Sequence, residues 1–520
     1  MPLTYPTMPG DVDHLLADDH LIVERQFQHL EAGRGDRRVL ADQIAFELAL
    51  HASAEERVVY PAAADAGLAP AAGHAVDEHQ LMKELLVVLN REDPGSTEFE
   101  DALARLMRAV RDHVAEEEGA LLPQLRERLG AARMAELGRE LLHAKRQAPT
   151  YAHPHGPSSG LGHTLGDAAA KVVDMVRDVG SGRKPRLATD GSGLLVPDAQ
   201  AIMDAFSELG PQPFEILTPE QARRQPGPDA AVKRVMEERG IHGPEPVGSV
   251  EELDIPDAAG GAQTLRIYRP RTDASGPLPV VMWIHGGGWV LFDLDTYDAS
   301  CRGLCNKTGA IVVSPDYRRA PEAPFPAAYD DVLAAWRWVR DNAATFDGDP
   351  ARLAVGGESV GATMAAATSL ALAERGEPAP SALVCVYPLT TAEEYGESMT
   401  DAADARPLNK VLLSWMAMHA FEGAPGAAQD WRVDLLDVAP ERLRALPPTL
   451  VIVGDRDPLR SQGEEFAARL QSAGVETACT RYDGVMHEFF GAAAVLPEAE
   501  RAQQEAAEHL LRGFGAMASA

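Results

Sequence analysis

The sequence predicts two folded domains in series: an all-α four-helix bundle, then an α/β domain whose mostly parallel sheet lies under a helical cap. Three observations predict this. From His14 to about His143 one amphipathic helix follows another. From Val250 onward, short apolar runs alternate with helical ones, the pattern of a parallel sheet covered by helices. Between the two, from Ala148 to Gly193, the composition shifts to Pro, Gly, Ser and His. A chain of 520 residues with 45% hydrophobic residues has length for more than one core and enough apolar material to fill them. The boundaries read from these changes are a bundle at 1–147, a spacer at 148–192, a helical cap segment at 193–245 and an α/β core at 246–520.

Charge and cysteine usage exclude several function classes. A net charge of -31 repels nucleic acid and anionic membrane surfaces. Four cysteines, Cys301, Cys305, Cys385 and Cys479, are too few for a disulfide framework in a chain this long and suit a reducing cytoplasm. Cys301 and Cys305 are read as a packed pair of thiols. Met1 to Asp13 has neither a basic n-region nor an apolar h-region, and no run is long enough to span a bilayer. The expectation is a cytoplasmic protein with no membrane span and no nucleic-acid partner.

The bundle is internally repeated. Breaks at Gly33-Arg34-Gly35, Gly67 to Gly73 and Asp93-Pro94-Gly95 separate four main helices, with a short fifth around Ala131 to His143. His51-Ala-Ser-Ala-Glu55-Glu56 with Pro61 is echoed by His113-Val-Ala-Glu-Glu117-Glu118 with Pro123, and Asp18-Asp19-His20 by Asp77-Glu78-His79. Residues four apart share a helix face, so His51 with Glu55, and His113 with Glu117, each present an imidazole and a carboxylate together. Two such hairpins packed antiparallel aim four histidines and two carboxylates into one core, where two nearby metal ions could be bridged. This donor set suits iron, manganese or zinc. Left without a metal or partner, buried groups of this kind are costly.

On His20, His51-x-x-x-Glu55, His79, His113-x-x-x-Glu117 and the Glu-Glu-x-x-x-x-Pro continuation of both paired motifs, residues 10 to 150 resemble the hemerythrin family in its bacterial HHE cation-binding form. The resemblance implies a non-haem di-iron site, with His20, His51, Glu55, His79, His113 and Glu117 as ligands, that binds dioxygen or a related small ligand. The chain departs from the oxygen carriers in helix three. There two histidines lie four apart; here His74 and His79 are five apart, which leaves the role of His74 open and one iron short of a donor.

The spacer holds Pro154-His155-Gly156-Pro157 and Gly180-Ser181-Gly182, with a short helix expected at Asp167 to Val179. Its histidines, His153, His155 and His163, are read as part of a solvated linker in preference to a weak metal tract. Helical spacing over Val196 to Leu209, and a helix starting at Pro219, fit either a cap over an acyl pocket or structural padding, and the spacing leaves both open.

In the α/β part, strands are expected at Thr264 to Tyr268, Pro279 to Ile284, Ala310 to Pro315, Arg352 to Val355, Ala382 to Tyr387, Thr449 to Val453 and Thr477 to Tyr482. Functional residues then belong at the carboxyl ends of the strands. Gly357-Glu358-Ser359-Val360-Gly361 follows one strand and opens a helix. Glycines on both sides let two segments close on each other and hold Ser359 in a strained turn with its hydroxyl clear of the sheet. His285-Gly286-Gly287-Gly288-Trp289 follows another, leaving backbone N–H groups to face a developing oxyanion: Gly287 and Gly288, with Val360 after the nucleophile. His285 is read as a brace for this loop. A phosphate loop would require a following Lys-Ser or Lys-Thr, which is absent. A serine needs a base, and the base an acceptor. His487 and Asp457 follow the last two strands, with Asp455 a close competitor for the acid and Asp483 a more remote one.

His285-Gly-Gly-Gly288, Asp316-Tyr317-Arg318-Arg319-Ala320-Pro321-Glu322, Pro324-Phe325-Pro326-Ala327, Gly357-x-Ser359-x-Gly361, Asp457-Pro458-Leu459 and Tyr482 to Phe489 occur in an order that resembles the hormone-sensitive-lipase-like bacterial esterases of the α/β-hydrolase fold, over about residues 190 to 515. The resemblance implies a Ser359–His487–Asp457 triad, an oxyanion hole at Gly287, Gly288 and Val360, hydrolysis of short-chain acyl esters of small molecules, and a homodimer as the common assembly. Glu358 and Val360 replace the usual Asp and Ala, Phe292 stands where glycine is common, and Ser461-Gln462-Gly463 replaces an acidic Asp-Glu-Gly; these changes are expected to reshape the pocket. The combined expectation is a serine carboxylic-ester hydrolase fused to a di-iron-binding domain. The alternative is an oxygen or redox sensor whose hydrolase fold is a weakly catalytic, iron-regulated binding module.

Overall fold

The computed structural model describes residues 10–148, 190–272 and 276–515. The expected spacer helix at Asp167 to Val179 and the histidines His153, His155 and His163 lie outside them. The chain divides into two compact units: Met1–Leu194 with Gly210–Thr218 and Asn409–Trp415, and Leu195–Leu209 with Pro219–Leu408 and Met416–Ala520.

The first unit is the bundle. Its main helices are Val12–Glu31, Arg37–Ala54, Ala69–Arg91 and Thr97–Glu116, followed by Leu122–Gln147. Local chemistry sets their ends: the Asp36 side chain accepts from the N–H groups of Arg38 and Val39, and Ser96 Oγ accepts from Phe99 N–H, as N-caps do. The last helix bends at Gly130, whose φ of 74° lies outside helical space, so the expected fifth segment is its second half. The break expected over Gly67 to Gly73 narrows to Gly67 alone, and Gly73 lies inside a helix. An apolar core including Val23, Phe27, Ile44, Leu86, Phe99 and Leu106 fills the half of the bundle nearest the turns at 32–36 and 92–96. The repeated histidines fall in the other half.

There the helices widen. Glu55–Val59 and Glu117–Leu121 are single π-turns, each beginning at the glutamate of a His-x-x-x-Glu repeat. Such turns recur at functional sites because the extra residue re-aims side chains inside an otherwise regular helix.

The second unit contains one sheet of eight strands: β1 (Ser249–Pro256), β2 (Ala262–Arg269), β3 (Leu278–Ile284), β4 (Ile311–Pro315), β5 (Gly348–Glu358), β6 (Leu383–Val386), β7 (Thr449–Arg456) and β8 (Thr477–Met486), in the order β1-β2-β4-β3-β5-β6-β7-β8. From β4 to β8 all pairings are parallel; β1 and β2 are antiparallel additions at one edge. Seven strands match the apolar runs in the sequence. β1 does not, because Val250-Glu251-Glu252-Leu253-Asp254 is an edge strand facing solvent and needs no apolar alternation. Helices Pro197–Leu209 and Pro228–Glu238 lie in the region read as the cap.

Candidate active site and metal centre

The strand order brings the carboxyl ends of β3, β5, β6, β7 and β8 to one edge of the sheet, each at most two strands from β5 or β7. Ser359 follows β5 with φ 55° and ψ -124°, a strained conformation for a residue with a side chain. The flanking glycines explain how it is held. A β-carbon on Gly361 would lie 2.1 Å from the Ile284 carbonyl oxygen, and one on Gly357 would lie 2.5 Å from the same atom. The elbow is therefore wedged against the end of β3.

Asp457, fully buried after β7, accepts from His487 Nδ1 at 2.7 Å and from the backbone N–H of Leu459 at 2.8 Å. Asp455 is otherwise engaged, accepting from the N–H of Gly484 at 2.7 Å, where it holds the end of β8. Asp483 pairs with Arg481 at the surface. The structure thus brings His487 to Asp457 and to neither competitor. Burial disfavours charge on His487, but Asp457 outweighs it and the imidazole is held above its ordinary range. Tyr387 links this pair to the elbow: its ring lies 4.4 Å from that of His487, its hydroxyl donates to Glu358 at 2.5 Å, and the preceding Val386 carbonyl accepts from Ser359 N–H at 2.9 Å.

The glycine loop after β3 approaches the elbow directly. A β-carbon on Gly286 would stand 3.1 Å from Ser359 Cβ, and one on Gly288 would overlap Met416 Sδ at 2.0 Å. His285 is buried, with Nδ1 3.0 Å from the Gly286 carbonyl and its ring stacked on Tyr317 at 4.1 Å; burial pushes it down to about 4. Tyr317 donates to the carbonyls of His285 and Gly286 at 3.0 and 2.8 Å. A neutral imidazole stacked and tied to its own loop is a brace, as its position implies. Phe292 adopts φ 60°, which accounts for the usual glycine there. Gln462, in the altered segment, accepts from the N–H groups of Thr390 and Thr391 and so ties down the loop after β6.

In the bundle, all six expected ligands meet in one buried cluster. His20 Nε2 and His51 Nε2 are 3.2 Å apart, as are His79 Nε2 and His113 Nε2 at 3.3 Å. Glu55 Oε2 lies 3.0 Å from His51 and 3.2 Å from His79; Glu117 Oε2 lies 3.4 Å from His20 and 3.7 Å from His113. Each carboxylate therefore faces both imidazole pairs. Glu55 Oε1 and both oxygens of Glu117 are buried without a hydrogen-bond partner. Unpaired buried carboxylate oxygens facing four imidazole nitrogens fit a pair of bridged cations.

Each outer nitrogen is held by a further carboxylate: His20 Nδ1 by Glu118 at 2.9 Å, His51 by Asp19 at 3.1 Å, His79 by Glu56 at 3.1 Å and His113 by Glu78 at 2.9 Å. These pairings favour Nδ1–H tautomers and turn the Nε2 lone pairs inward. Asp19 is itself paired with Lys145 at 2.6 Å, and Glu56 with Lys83 at 2.7 Å. The acidic doublets of the repeat carried this signal, although the sequence reading assigned them no role. Tyr60 was missed altogether. Its hydroxyl donates to Glu55 Oε2 at 3.1 Å and lies 3.1 Å from His79 Nε2. No repeat could reveal it, because the corresponding position, nine residues after His113, is Leu122. His74 stands outside the cluster, its exposed side chain 3.6 Å from Glu78 and 3.5 Å from Glu116.

A family model described as the hemerythrin HHE cation binding domain matches residues 11–125, and one described as the alpha/beta hydrolase fold matches residues 281–491. The chain is 37% identical over 257 residues to Esterase LipI of Mycobacterium tuberculosis, covering 49% of this chain and 78% of that protein. The chain belongs to the α/β-hydrolase family. This α/β-hydrolase, with its hemerythrin HHE domain ahead of the sheet, is also 32% identical to an ethyl acetate hydrolase of Pseudomonas putida, over 48% of this chain and 79% of that one. Among solved structures, it is similar to an α/β-hydrolase from the metagenome of Lake Arreo (35% identity, TM-score 0.55, covering 62% of this chain and 99% of that one). It is also similar to a thermostable Pseudomonas putida esterase (31%, TM-score 0.56, covering 62% and 99%). Among the described residues no helix is long and apolar enough to cross a membrane.

Proposed function

We propose that the sheet unit hydrolyses short-chain carboxylic esters through an acyl-serine, and that the bundle holds a di-iron pair. Ser359 attacks the ester carbonyl while His487 Nε2 takes its proton. The same proton then goes to the departing alcohol, and water, deprotonated by His487, releases the acid and restores the serine. Asp457 keeps Nδ1 protonated and Nε2 free. Gly287, Gly288 and Val360 offer backbone N–H groups to the oxyanion. The observation that most supports this reading is the buried Asp457–His487 pair at 2.7 Å beside a strained serine elbow.

For the bundle, His20 and His51 would hold one ion, His79 and His113 the other, with Glu55 and Glu117 between them. The Tyr60 hydroxyl, beside Glu55 and His79, would be a further oxygen donor for the ion held by His79 and His113. A bound iron pair would supply small-ligand binding and electron exchange.

Two measurements test these readings. Ser359→Ala is expected to lower turnover of p-nitrophenyl acetate and butyrate by about 10⁴-fold or more; an active variant excludes the mechanism. Protein expressed in iron-replete medium is expected to carry two iron ions per chain by elemental analysis and to absorb in the visible. His51→Ala and His113→Ala should both lose the metal, and a colourless, metal-free wild type removes the di-iron assignment.

A further inference from the structure

The residue after His487 is Glu488, with φ 66° and a side chain 10% exposed. Its Oε1 accepts from the Tyr297 hydroxyl at 2.7 Å and lies 4.0 Å from His487 Nε2, the nitrogen assigned to the reacting oxygens. A second buried carboxylate, Glu358, precedes Ser359 and accepts from Trp283 Nε1 at 2.8 Å and from Tyr387. Burial first, and the charge of Glu488 next, push Glu358 up to about 7. Each member of the proposed nucleophile–base pair thus has a buried glutamate as its chain neighbour.

Both glutamates line a chamber of about 690 Å³ beneath the helix Pro228–Glu238. Tyr297 forms part of the same wall, and a β-carbon on Gly286 would lie 2.5 Å from its hydroxyl and 3.1 Å from Ser359 Cβ. Tyr297 therefore borders both the chamber and the turn that carries Ser359, and Glu488, on the chamber wall, stands beside His487, although neither Ser359 nor His487 lines the chamber itself. Eight carboxylates and three cationic side chains line it. All three cations are already paired with other acids: Lys233 with Asp229 at 2.8 Å, Arg266 with Glu252 at 2.6 Å, and Arg302 with Asp298 at 2.6 Å. Glu358 accepts from neutral donors, and Glu488 from the neutral Tyr297 hydroxyl with the His487 imidazole 4.0 Å away. Ser300 Oγ, fully buried on the same wall, stands close to Glu358 yet closes no hydrogen bond of good geometry. Two carboxylates and a spare hydroxyl, desolvated at the end of a ligand-sized cavity, are recognition groups for a cation.

We propose that this chamber receives the ammonium-bearing alcohol portion of a cationic ester, with Glu488 and Glu358 as the groups that recognise it. The assignment to the alcohol side follows from His487 Nε2, which returns its proton to the leaving oxygen and has Glu488 beside it. Tyr297 adds an aromatic ring to the wall. The inference rests on the ester-hydrolase reading above and names its substrate class.

The test compares acetylcholine with 3,3-dimethylbutyl acetate, which has the same shape without the charge. Wild type is expected to favour acetylcholine in kcat/KM by about tenfold or more, and Glu488→Gln to bring the ratio to within about twofold of one. Glu358→Gln serves as the second variant. Because both esters are measured on one protein, any general loss of activity cancels. Choline should also inhibit p-nitrophenyl acetate hydrolysis by wild type far better than 3,3-dimethylbutanol does. A wild-type ratio near or below one, or a ratio unchanged in Glu488→Gln, overturns the inference while p-nitrophenyl acetate turnover upholds the esterase. Failure to cleave any of the three esters would bring down the esterase reading itself, and this one with it.

Discussion

Two aspartates two residues apart, Asp455 and Asp457, follow the same strand, and only one reaches the imidazole. Replacing Asp457 with Asn should lower kcat by about 10⁴-fold, because the tautomer and orientation of His487 would no longer be set. Asp455→Asn should leave kcat nearly intact and cost about 1 kcal/mol of stability, the worth of its bond to Gly484. Denaturant melts and p-nitrophenyl butyrate kinetics on the two variants separate these roles. The imidazole also sets the pH response. His487 acts as a base only when neutral, and Asp457, with Glu488 and Glu358, holds it above the ordinary range. Activity should therefore fall as pH falls, with the acidic limb of kcat/KM lying above the value of a free imidazole. A limb at or below the free value would show that these carboxylates do not govern His487. The sequence could order serine, acid and base along the chain; strand position alone left Asp455 a close competitor, since two residues apart both sit at the same strand end, while the Asp457-Pro458-Leu459 motif pointed to Asp457, the acid that lies against His487.

Helices and turns aim these groups. In the bundle, each histidine contacts the acidic residue beside a ligand of another helix: Glu118 serves His20, Asp19 serves His51, Glu56 serves His79 and Glu78 serves His113. Neutralising one such partner, as in Glu118→Gln, should weaken metal binding by about 10- to 100-fold while leaving helix content unchanged, measured by chelator competition and circular dichroism. The π-turns at Glu55 and Glu117 begin at the two carboxylates proposed to bridge the metals, and the amphipathic pattern in the sequence did not foretell them, because one extra residue in a turn shifts the phase only locally. In the sheet unit, the elbow tolerates no side chain at Gly361. Gly361→Ala should cost about 1–3 kcal/mol and displace the nucleophile, read as a lower midpoint in urea together with lost turnover.

For the whole molecule, metal binding is part of the folding balance. Four imidazoles and two carboxylates with unpartnered oxygens, brought together at one place, are stabilised by any cation that binds them only in the folded state. Saturation at a hundredfold over Kd should add ~2.7 kcal/mol to the stability of the bundle; His51→Ala should abolish this gain in calorimetry. The sequence by itself determined the two architectures, the twofold repeat that brings the histidines and glutamates of the buried cluster, and the strand-end positions of Ser359, Asp457 and His487. Periodicity and short motifs are local in the chain, so they survive without coordinates. Only the tertiary structure decided that His74 stays at the surface while Tyr60 enters the cluster, and that Glu358 and Glu488 share a chamber. Each of those depends on side chains far apart in the chain being packed to within a few ångströms, and no local pattern encodes that distance.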